Sequence, residues 1–185
     1  MNAKQNQSNK GFTLIEMIGV LAIIAILAAL LVPKVFSAIN DSRFSNTVTS
    51  VNAVKGATMN YFGQFGTLSS TNNTAYDTEL IKQNFLDRPF GCKVGTTNQV
   101  HVVTSSGTTA GTNACYALDG ATAIPAGSTV VEILIGGVSG PDAWELSKRI
   151  DGASLSGADS SVADTLGRVT YGAGGGLVSI YLAHK

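Results

Sequence analysis

Glu16 is the only charged residue in an apolar run that extends from Phe12 to Val32 and reads FTLIEMIGVLAIIAILAALLV. An ionised carboxylate at the centre of a lipid bilayer costs roughly 2.5 to 3.5 kcal/mol. A buried charge is far less costly when an opposite charge pairs with it. We therefore expect Glu16 to form an ion pair. Because the run contains no Lys, Arg or His, the cation must come from outside it.

The remaining sequence shows no spacing that is typical of catalysis. His101 and His184 are far apart, and neither belongs to the His-Glu-x-x-His pattern of metalloproteases. No Gly-x-Ser-x-Gly nucleophile motif occurs. Residues 172–176 read GAGGG, but they lack the Lys-Ser/Thr of a phosphate-binding loop and separate two predicted strands. We interpret the histidines as structural or solvated and GAGGG as a hairpin turn, and we predict that the protein is not an enzyme.

Three acidic residues near Trp144, the only tryptophan in the sequence, could in principle form a calcium site. Asp142, Glu145 and Asp151 fall on different faces of a predicted helix and lack the oxygen-ligand spacing of a calcium loop. We interpret them as solvated helix charges, and Trp144 as a core residue. The sequence therefore predicts no metal site and no cofactor.

Composition narrows the class of protein. With 185 residues, 44% of them apolar, the chain can hold one ordinary domain together with a membrane segment. Only 13% of the residues are charged and 21 are glycine, which suits a small secreted β-rich domain. Basic and acidic residues balance at 12 each, and no basic stripe with interleaved aromatic residues occurs. We therefore predict no specific nucleic-acid partner.

The apolar run matches the thickness of a membrane. Residues 12–32 would form a helix about 31 Å long, and the hydrocarbon core of a bilayer is about 30 Å thick. Residues 1–10 carry Lys4 and Lys10 but no acid, which is typical of a flank that stays in the cytoplasm. An ordinary signal peptide has a shorter apolar core. We predict that residues 12–33 span a membrane.

The same helix is expected to continue beyond the membrane. From residue 34 to residue 62 the apolar residues recur mostly every three to five positions, which indicates an amphipathic helix. We predict one helix from about Phe12 to Phe62 that is kinked at Pro33, because proline removes a helical donor and clashes with the preceding turn. Gly63 and Gly66 are predicted to end it.

The rest of the chain, residues 63–185, reads as a globular domain. Strands are predicted at residues 99–105, 114–118, 129–135, 168–171 and 177–183, and short helices at 79–85 and 141–151. The sequence thus predicts an α+β fold in which a long N-terminal helix packs on an antiparallel sheet of four or five strands.

The stretch KGFTLIE at residues 10–16, with the apolar run and Pro33 after it, resembles the N-terminal signal of type IV prepilins and pseudopilins. The resemblance implies a type IV pilin-like fold. It also implies that a prepilin peptidase cuts on the cytoplasmic side between Gly11 and Phe12, removes residues 1–11 as a leader, and methylates the new amino terminus at Phe12.

The resemblance further implies a role for Glu16. In such proteins the corresponding acid is thought to pair with the methylated N-terminal amine, here that of Phe12, of the neighbouring subunit as it enters a filament. A chain docked out of register would leave both charges unpaired, so the pair would set the register. The implied partners are identical or related pilin subunits, the prepilin peptidase, an assembly ATPase and an inner-membrane platform protein.

Export, which the resemblance implies, bears on the two cysteines. Cys92 and Cys115 permit a single intramolecular pairing, and disulfides persist in oxidising compartments outside the cytoplasm. We therefore predict a disulfide between them.

The resulting functional hypothesis is a structural subunit of a type IV pilus-like filament. The chain would be a single-pass protein of the bacterial inner membrane before assembly, and afterwards part of a surface pilus or a periplasmic pseudopilus. The alternatives are a pseudopilin of a type II secretion system and a minor tip pilin that binds DNA or another ligand. Adhesion, twitching motility and DNA uptake all stay open as tasks. An enzyme tethered by the helix is a further alternative. It would have to use Glu132 or His101 in catalysis, and neither residue belongs to a recognised catalytic motif.

Overall fold

The computed structural model describes residues 11–68, 74–107, 115, 117, 119 and 122–185. The elements of this part of the chain are, in order, α1 (Leu14–Phe65), α2 (Tyr76–Lys82), β1 (Thr97–Thr104), β2 (Thr129–Ser139), α3 (Gly140–Asp151), β3 (Val169–Tyr171) and β4 (Gly175–His184). The chain divides into two compact units, Met1–Asp41 and Ser42–Lys185, and α1 contributes to both.

The N-terminal segment of α1, residues 14–41, is exposed on every side. A helix that is apolar all round needs lipid or other helices as its surroundings, and α1 is long and apolar enough to cross a membrane. The helix is continuous through Pro33, whose carbonyl accepts a hydrogen bond from Ser37 Oγ at 3.2 Å. The predicted kink at Pro33 stays a prediction.

The C-terminal segment of α1, residues 42–65, buries one face, whereas the predicted amphipathic stretch began at residue 34, and residues 34–41 are exposed. Its buried residues follow a helical spacing and are Phe44, Thr47, Val51, Val54, Ala57, Thr58 and Tyr61. The helix ends one turn later than expected, because Gly66 adopts φ +67° and donates its N–H to the Phe62 carbonyl at 2.8 Å. Gly63 was predicted to end the helix, and it lies inside it instead. The rings of Tyr61 and Phe65, 4.7 Å apart, pack together across this last turn.

The described strands form one antiparallel sheet in the order β1-β2-β4-β3. The long central strands β2 and β4 pair along most of their length, and β1 and β3 form the edges. The predicted α+β fold, with its long helix and antiparallel sheet, is confirmed and is consistent with a type IV pilin-like fold. The strand predicted at residues 114–118 lies mostly outside the described residues.

Two apolar clusters occupy opposite faces of this sheet. The main core contains α1, α2 and α3 residues together with alternate strand residues such as Val102, Val131 and Ile133. The small cluster consists of Val103, Cys115, Ile124 and Val130, with Tyr181 packed against it. Because successive side chains of a strand point to opposite faces, the step from Val130 to Val131 passes from the small cluster to the main core.

Local residues set the turns around α3 and β4. Ser139 caps α3 by accepting a hydrogen bond from Asp142 N at 3.3 Å, and Gly152 with φ +83° ends the helix. The GAGGG stretch joins β3 to β4 as the predicted antiparallel hairpin. A Cβ at Gly175 would lie 2.5 Å from the Val138 carbonyl oxygen, so only glycine fits there.

The helix predicted at residues 79–85 lies three residues earlier, at Tyr76–Lys82. Tyr76 and Leu80 are both fully buried and stand one turn apart, so the core anchors this turn. The chain then leaves the helix at Asn84, which has φ +60°.

Replacing Ile133 by alanine tests the importance of the main core. Ile133 is fully buried on β2 between Val100 of β1 and Ile180 of β4. We expect Ile133→Ala to lower the free energy of unfolding by about 2 to 5 kcal/mol, because it leaves a cavity. Leu177→Ala, at a position 57% exposed on β4, is the control and should change it by less than about 0.5 kcal/mol. Urea unfolding of the detergent-solubilised chain, followed by Trp144 fluorescence, measures both values, and equal losses would contradict this assignment of the core.

Candidate functional site

The residues predicted to be cleaved lie just before α1. Gly11, Phe12 and Thr13 are not helical, and all three are exposed. The Phe12 side chain is 80% exposed. Exposed segments outside regular structure are the preferred sites of proteolysis. The peptide bond between Gly11 and Phe12 is thus placed where a peptidase can reach it.

Glu16 lies in the first turn of α1, where it forms a reciprocal capping box with Thr13. Thr13 donates to Glu16 Oε2 twice, from its backbone N at 2.8 Å and from its Oγ1 at 2.7 Å. In return, Thr13 Oγ1 accepts a hydrogen bond from Glu16 N at 3.3 Å. These bonds satisfy backbone donors that a helix start otherwise leaves unpaired.

The capping box explains how an acid is tolerated at this end of an apolar helix. The N-terminal end of a helix carries a partial positive charge that favours a nearby carboxylate. Within the described part of the chain, however, no basic side chain lies within ion-pair distance of Glu16. The carboxylate therefore has hydrogen-bond donors from its own chain but no counter-charge there.

Thr13 is the residue of this site that we did not predict. The signal was present in the sequence, because Thr13-Leu14-Ile15-Glu16 has the Ser/Thr-x-x-Glu spacing of a capping box before an apolar run. The prediction made for Glu16 rests only on its charge. The position of Glu16 three residues after Thr13 also predicts the hydrogen bonds between the two residues.

The predicted disulfide between Cys92 and Cys115 is not formed. Cys92 packs against the main core, whereas Cys115 belongs to the small cluster on the other face of the sheet. The sheet thus lies between the two side chains. Burial raises the pKa of the Cys92 thiol, and it raises the pKa of the Cys115 thiol to about 11, so both stay protonated at neutral pH.

A polar row crosses the sheet face that carries the small cluster. Ser179 Oγ donates to Glu132 Oε2 at 2.6 Å, and His101 Nδ1 lies 3.5 Å from Glu132 Oε1. In a Ser-His-acid triad the histidine lies between the nucleophile and the acid. Here the acid occupies the middle position, so the arrangement is a cross-strand polar contact rather than an activated serine. His184, the other candidate, contacts the hydroxyl of Tyr181.

The acids of α3 divide into two kinds. Glu145 pairs with Arg149 at 2.8 Å, as expected of a helix surface charge. Asp151 was interpreted as solvated, and this is wrong, because its Oδ2 accepts the backbone N–H groups of Arg168 and Val169, both at 2.8 Å. Burial raises the pKa of Asp151, although these two hydrogen bonds oppose the rise. In the described part of the chain, no three His, Cys, Asp or Glu side chains are grouped to hold a metal ion.

Trp144 is half-buried and packs against the main core, which agrees with its interpretation as a core residue. Its indole Nε1 donates to the Gly157 carbonyl at 2.8 Å. The hydrogen bond ties the loop after α3 to the helix.

A thiol count tests the separation of the cysteines. We expect two reactive thiols per chain when the mature protein is denatured without reductant and treated with a thiol-specific reagent, because no bond joins Cys92 to Cys115. A sample reduced beforehand is the control and should give the same count. A count of zero before reduction would contradict the arrangement on opposite faces of the sheet.

Sequence comparison agrees with the geometry of the N-terminus. Residues 6–32 match the family model of the prokaryotic N-terminal methylation motif, and the match includes Gly11, Phe12, Thr13 and Glu16. A search of curated proteins and a search of solved structures found no match. The motif includes the start of α1, which Thr13 and Glu16 cap and which is exposed on every side from residue 14 to residue 41. At its N-terminus the chain carries the methylation motif that is the signature of type IV pilins and pseudopilins.

Proposed function

We propose that this protein is a structural subunit of a type IV pilus-like filament. The observation that carries the proposal is the methylation motif at residues 6–32 together with a helix segment, residues 14–41, that is exposed on every side. Such a segment needs lipid before assembly and other helices after it. The subunit is held in the bacterial inner membrane as a single-pass protein and then enters the filament.

Processing prepares the subunit for assembly. A prepilin peptidase removes residues 1–11 by cutting between Gly11 and Phe12 and methylates the new amine. The amine of one subunit then pairs with Glu16 of its neighbour. In the described part of that neighbour no basic side chain lies within ion-pair distance of Glu16, so the incoming amine supplies the counter-charge. In an apolar bundle such a pair is much stronger than in water. An assembly ATPase and a membrane platform protein are the further partners that extraction of an apolar helix requires.

We favour a surface pilus over a periplasmic pseudopilus. The domain that follows α1 is large, and the chain beyond residue 66 is rich in Ser, Thr and Gly, which suits an exposed shaft. A pseudopilin of a type II secretion system is the second candidate, because it shares the same N-terminal motif and the same helix. A scarce tip pilin that binds DNA or another ligand is the third.

Intact-mass analysis of sheared surface material and of membranes from the same cells tests these candidates. A chain that begins at methylated Phe12 and is abundant in the sheared fraction supports a major pilin. The same mature chain confined to the envelope supports a pseudopilin or a minor subunit. An uncut chain that begins at Met1 contradicts the proposal.

Replacing Gly11 tests the cleavage site. We expect Gly11→Val to block processing, because a branched side chain then stands directly before the bond to be cut and changes the shape of the segment that the peptidase must bind. The full-length mass should persist in the membrane fraction, and the rate of cutting should fall at least about tenfold, which corresponds to roughly 1.4 kcal/mol or more in the activation free energy. Gly19→Val, inside the helix where a Cβ meets no other atom, is the control and should be processed normally. Normal cutting of Gly11→Val would move the site elsewhere.

Replacing Glu16 separates its charge from its capping role. Glu16→Ala should give processed subunits that fail to polymerise, because the amine of the incoming chain has no counter-charge. Glu16→Gln keeps a side chain that fits a capping box but is neutral, and we expect it to fail as well. Filament yield in the sheared fraction is the measurement. If Glu16→Gln forms filaments as the parent chain does, the ion pair is not what assembly requires.

A further inference from the structure

We propose that Thr13 is a positioning residue for assembly: it holds Glu16 Oε2 and leaves Oε1 to receive the amine of a second copy of this chain. The inference rests on the proposed function and adds to it the residue that prepares the carboxylate for its partner. It is drawn from the bonds at the start of α1.

Two hydrogen bonds hold the Glu16 side chain, and a third joins its backbone to Thr13. The first two end on the same carboxylate oxygen, Oε2, at 2.8 Å and 2.7 Å, and the third joins Thr13 Oγ1 to Glu16 N at 3.3 Å. A glutamate on an exposed helix face otherwise samples many rotamers, and ordering it on binding has an entropic cost. Because Thr13 has already ordered the Glu16 side chain, binding of a partner to the carboxylate does not carry this entropic cost.

The other carboxylate oxygen is available to the partner. Among the described residues, every bond of the Glu16 carboxylate ends on Oε2. An ionised carboxylate offers about four acceptor positions on its two oxygens. A methylated amine keeps two N–H donors, so it can bind Oε1 without displacing Thr13. The intrachain bonds and the bond between chains are therefore compatible.

The position of the carboxylate also matters for the incoming charge. The first N–H groups of α1 carry a partial positive charge that repels an amine. The capping box places Glu16 directly over this end of the helix, so an approaching amine meets a carboxylate. Leu14 and Ile15 next to it are exposed and apolar, and packing them against another helix removes water, which strengthens the pair.

Competition between variant and parent chains in one filament tests the proposal. Each variant is co-expressed with the parent chain, and mass spectrometry gives its share of the mature chain in sheared filaments divided by its share in the membrane. Thr13→Val keeps the shape and removes the hydroxyl, and we expect this ratio to fall by about tenfold, which is the loss of one hydrogen bond to a charged group. Thr13→Ser keeps the hydroxyl and should stay within about twofold of the parent.

A matched control removes another hydroxyl from the same helix. Thr49 Oγ1 donates to the Ser45 carbonyl at 2.9 Å on an exposed face. Thr49→Val should stay within about twofold of the parent, because no carboxylate depends on it. A fall for Thr49→Val as large as that for Thr13→Val would overturn the proposal, since any lost hydroxyl would then act alike.

A double-mutant cycle distinguishes positioning from helix capping. Thr13 Oγ1 accepts the Glu16 backbone N–H whatever the side chain at position 16 is, so a mere cap loses the same amount in both backgrounds. A positioning residue loses its effect once the carboxylate is gone. We expect Thr13→Val to lower the ratio tenfold beside Glu16 and not to lower it further beside Glu16→Ala, which itself incorporates poorly.

The outcomes are separable. If Thr13→Val incorporates like the parent while Glu16→Ala does not, the positioning role is overturned and the proposed function stands. If Thr13→Val lowers the ratio equally in both backgrounds, Thr13 is only a cap. If Glu16→Ala incorporates like the parent, the ion pair of the proposed function fails, and the inference about Thr13 fails with it.

Discussion

The N-terminal site depends on the placement of one carboxylate, that of Glu16, at the start of an apolar helix. A charge in such a helix is tolerated only when donors or an opposite charge satisfy it. Thr13 supplies two donors, and the positive end of the helix supplies a favourable field. What the described chain does not supply is a cation. The Glu16 carboxylate has hydrogen-bond donors, but its negative charge is not neutralised. It is therefore suited to bind a partner that carries a positive charge.

One helix serves two environments, and its two segments differ accordingly. Residues 42–65 bury a stripe at helical spacing against the main core. Residues 14–41 bury nothing. The buried stripe stabilises the helix through packing, whereas the exposed segment depends on surroundings that the chain does not provide. The division into two compact units near residue 41 follows from this change.

Two aspartates, Asp151 and Asp164, occupy backbone groups at an edge of the sheet. The edge strand β3 is short, and its outer side is occupied by neighbouring parts of the chain. Asp164 forms a backbone bridge with Tyr171 through two hydrogen bonds of 2.9 Å, and its buried side chain accepts a bond from Ser147 Oγ at 2.6 Å. Asp151 binds the backbone N–H groups at the start of β3. These bonds use backbone groups that could otherwise pair with the sheet of another molecule.

The sequence by itself determined the features that local chemistry controls. The apolar run, the acid within it and the Gly11-Phe12 junction predict the N-terminal motif, and alternation and turn residues predict the α+β class. The Ser/Thr-x-x-Glu spacing also predicts the capping box formed by Thr13 and Glu16. Gly66 ends α1 as its local signal predicts, whereas Gly63 does not. The helix α2 begins three residues earlier than predicted, where Tyr76 is buried in the core.

Only the tertiary structure decided which side chains meet. Cys92 and Cys115 look like a pair in the sequence, but Cys92 packs against the main core and Cys115 belongs to the small cluster on the other face of the sheet. Asp151 looks like a surface charge, yet the fold brings the backbone N–H groups of Arg168 and Val169 to it. Such contacts join residues distant along the chain, and their geometry follows from sheet register and core packing, which short-range spacing does not encode.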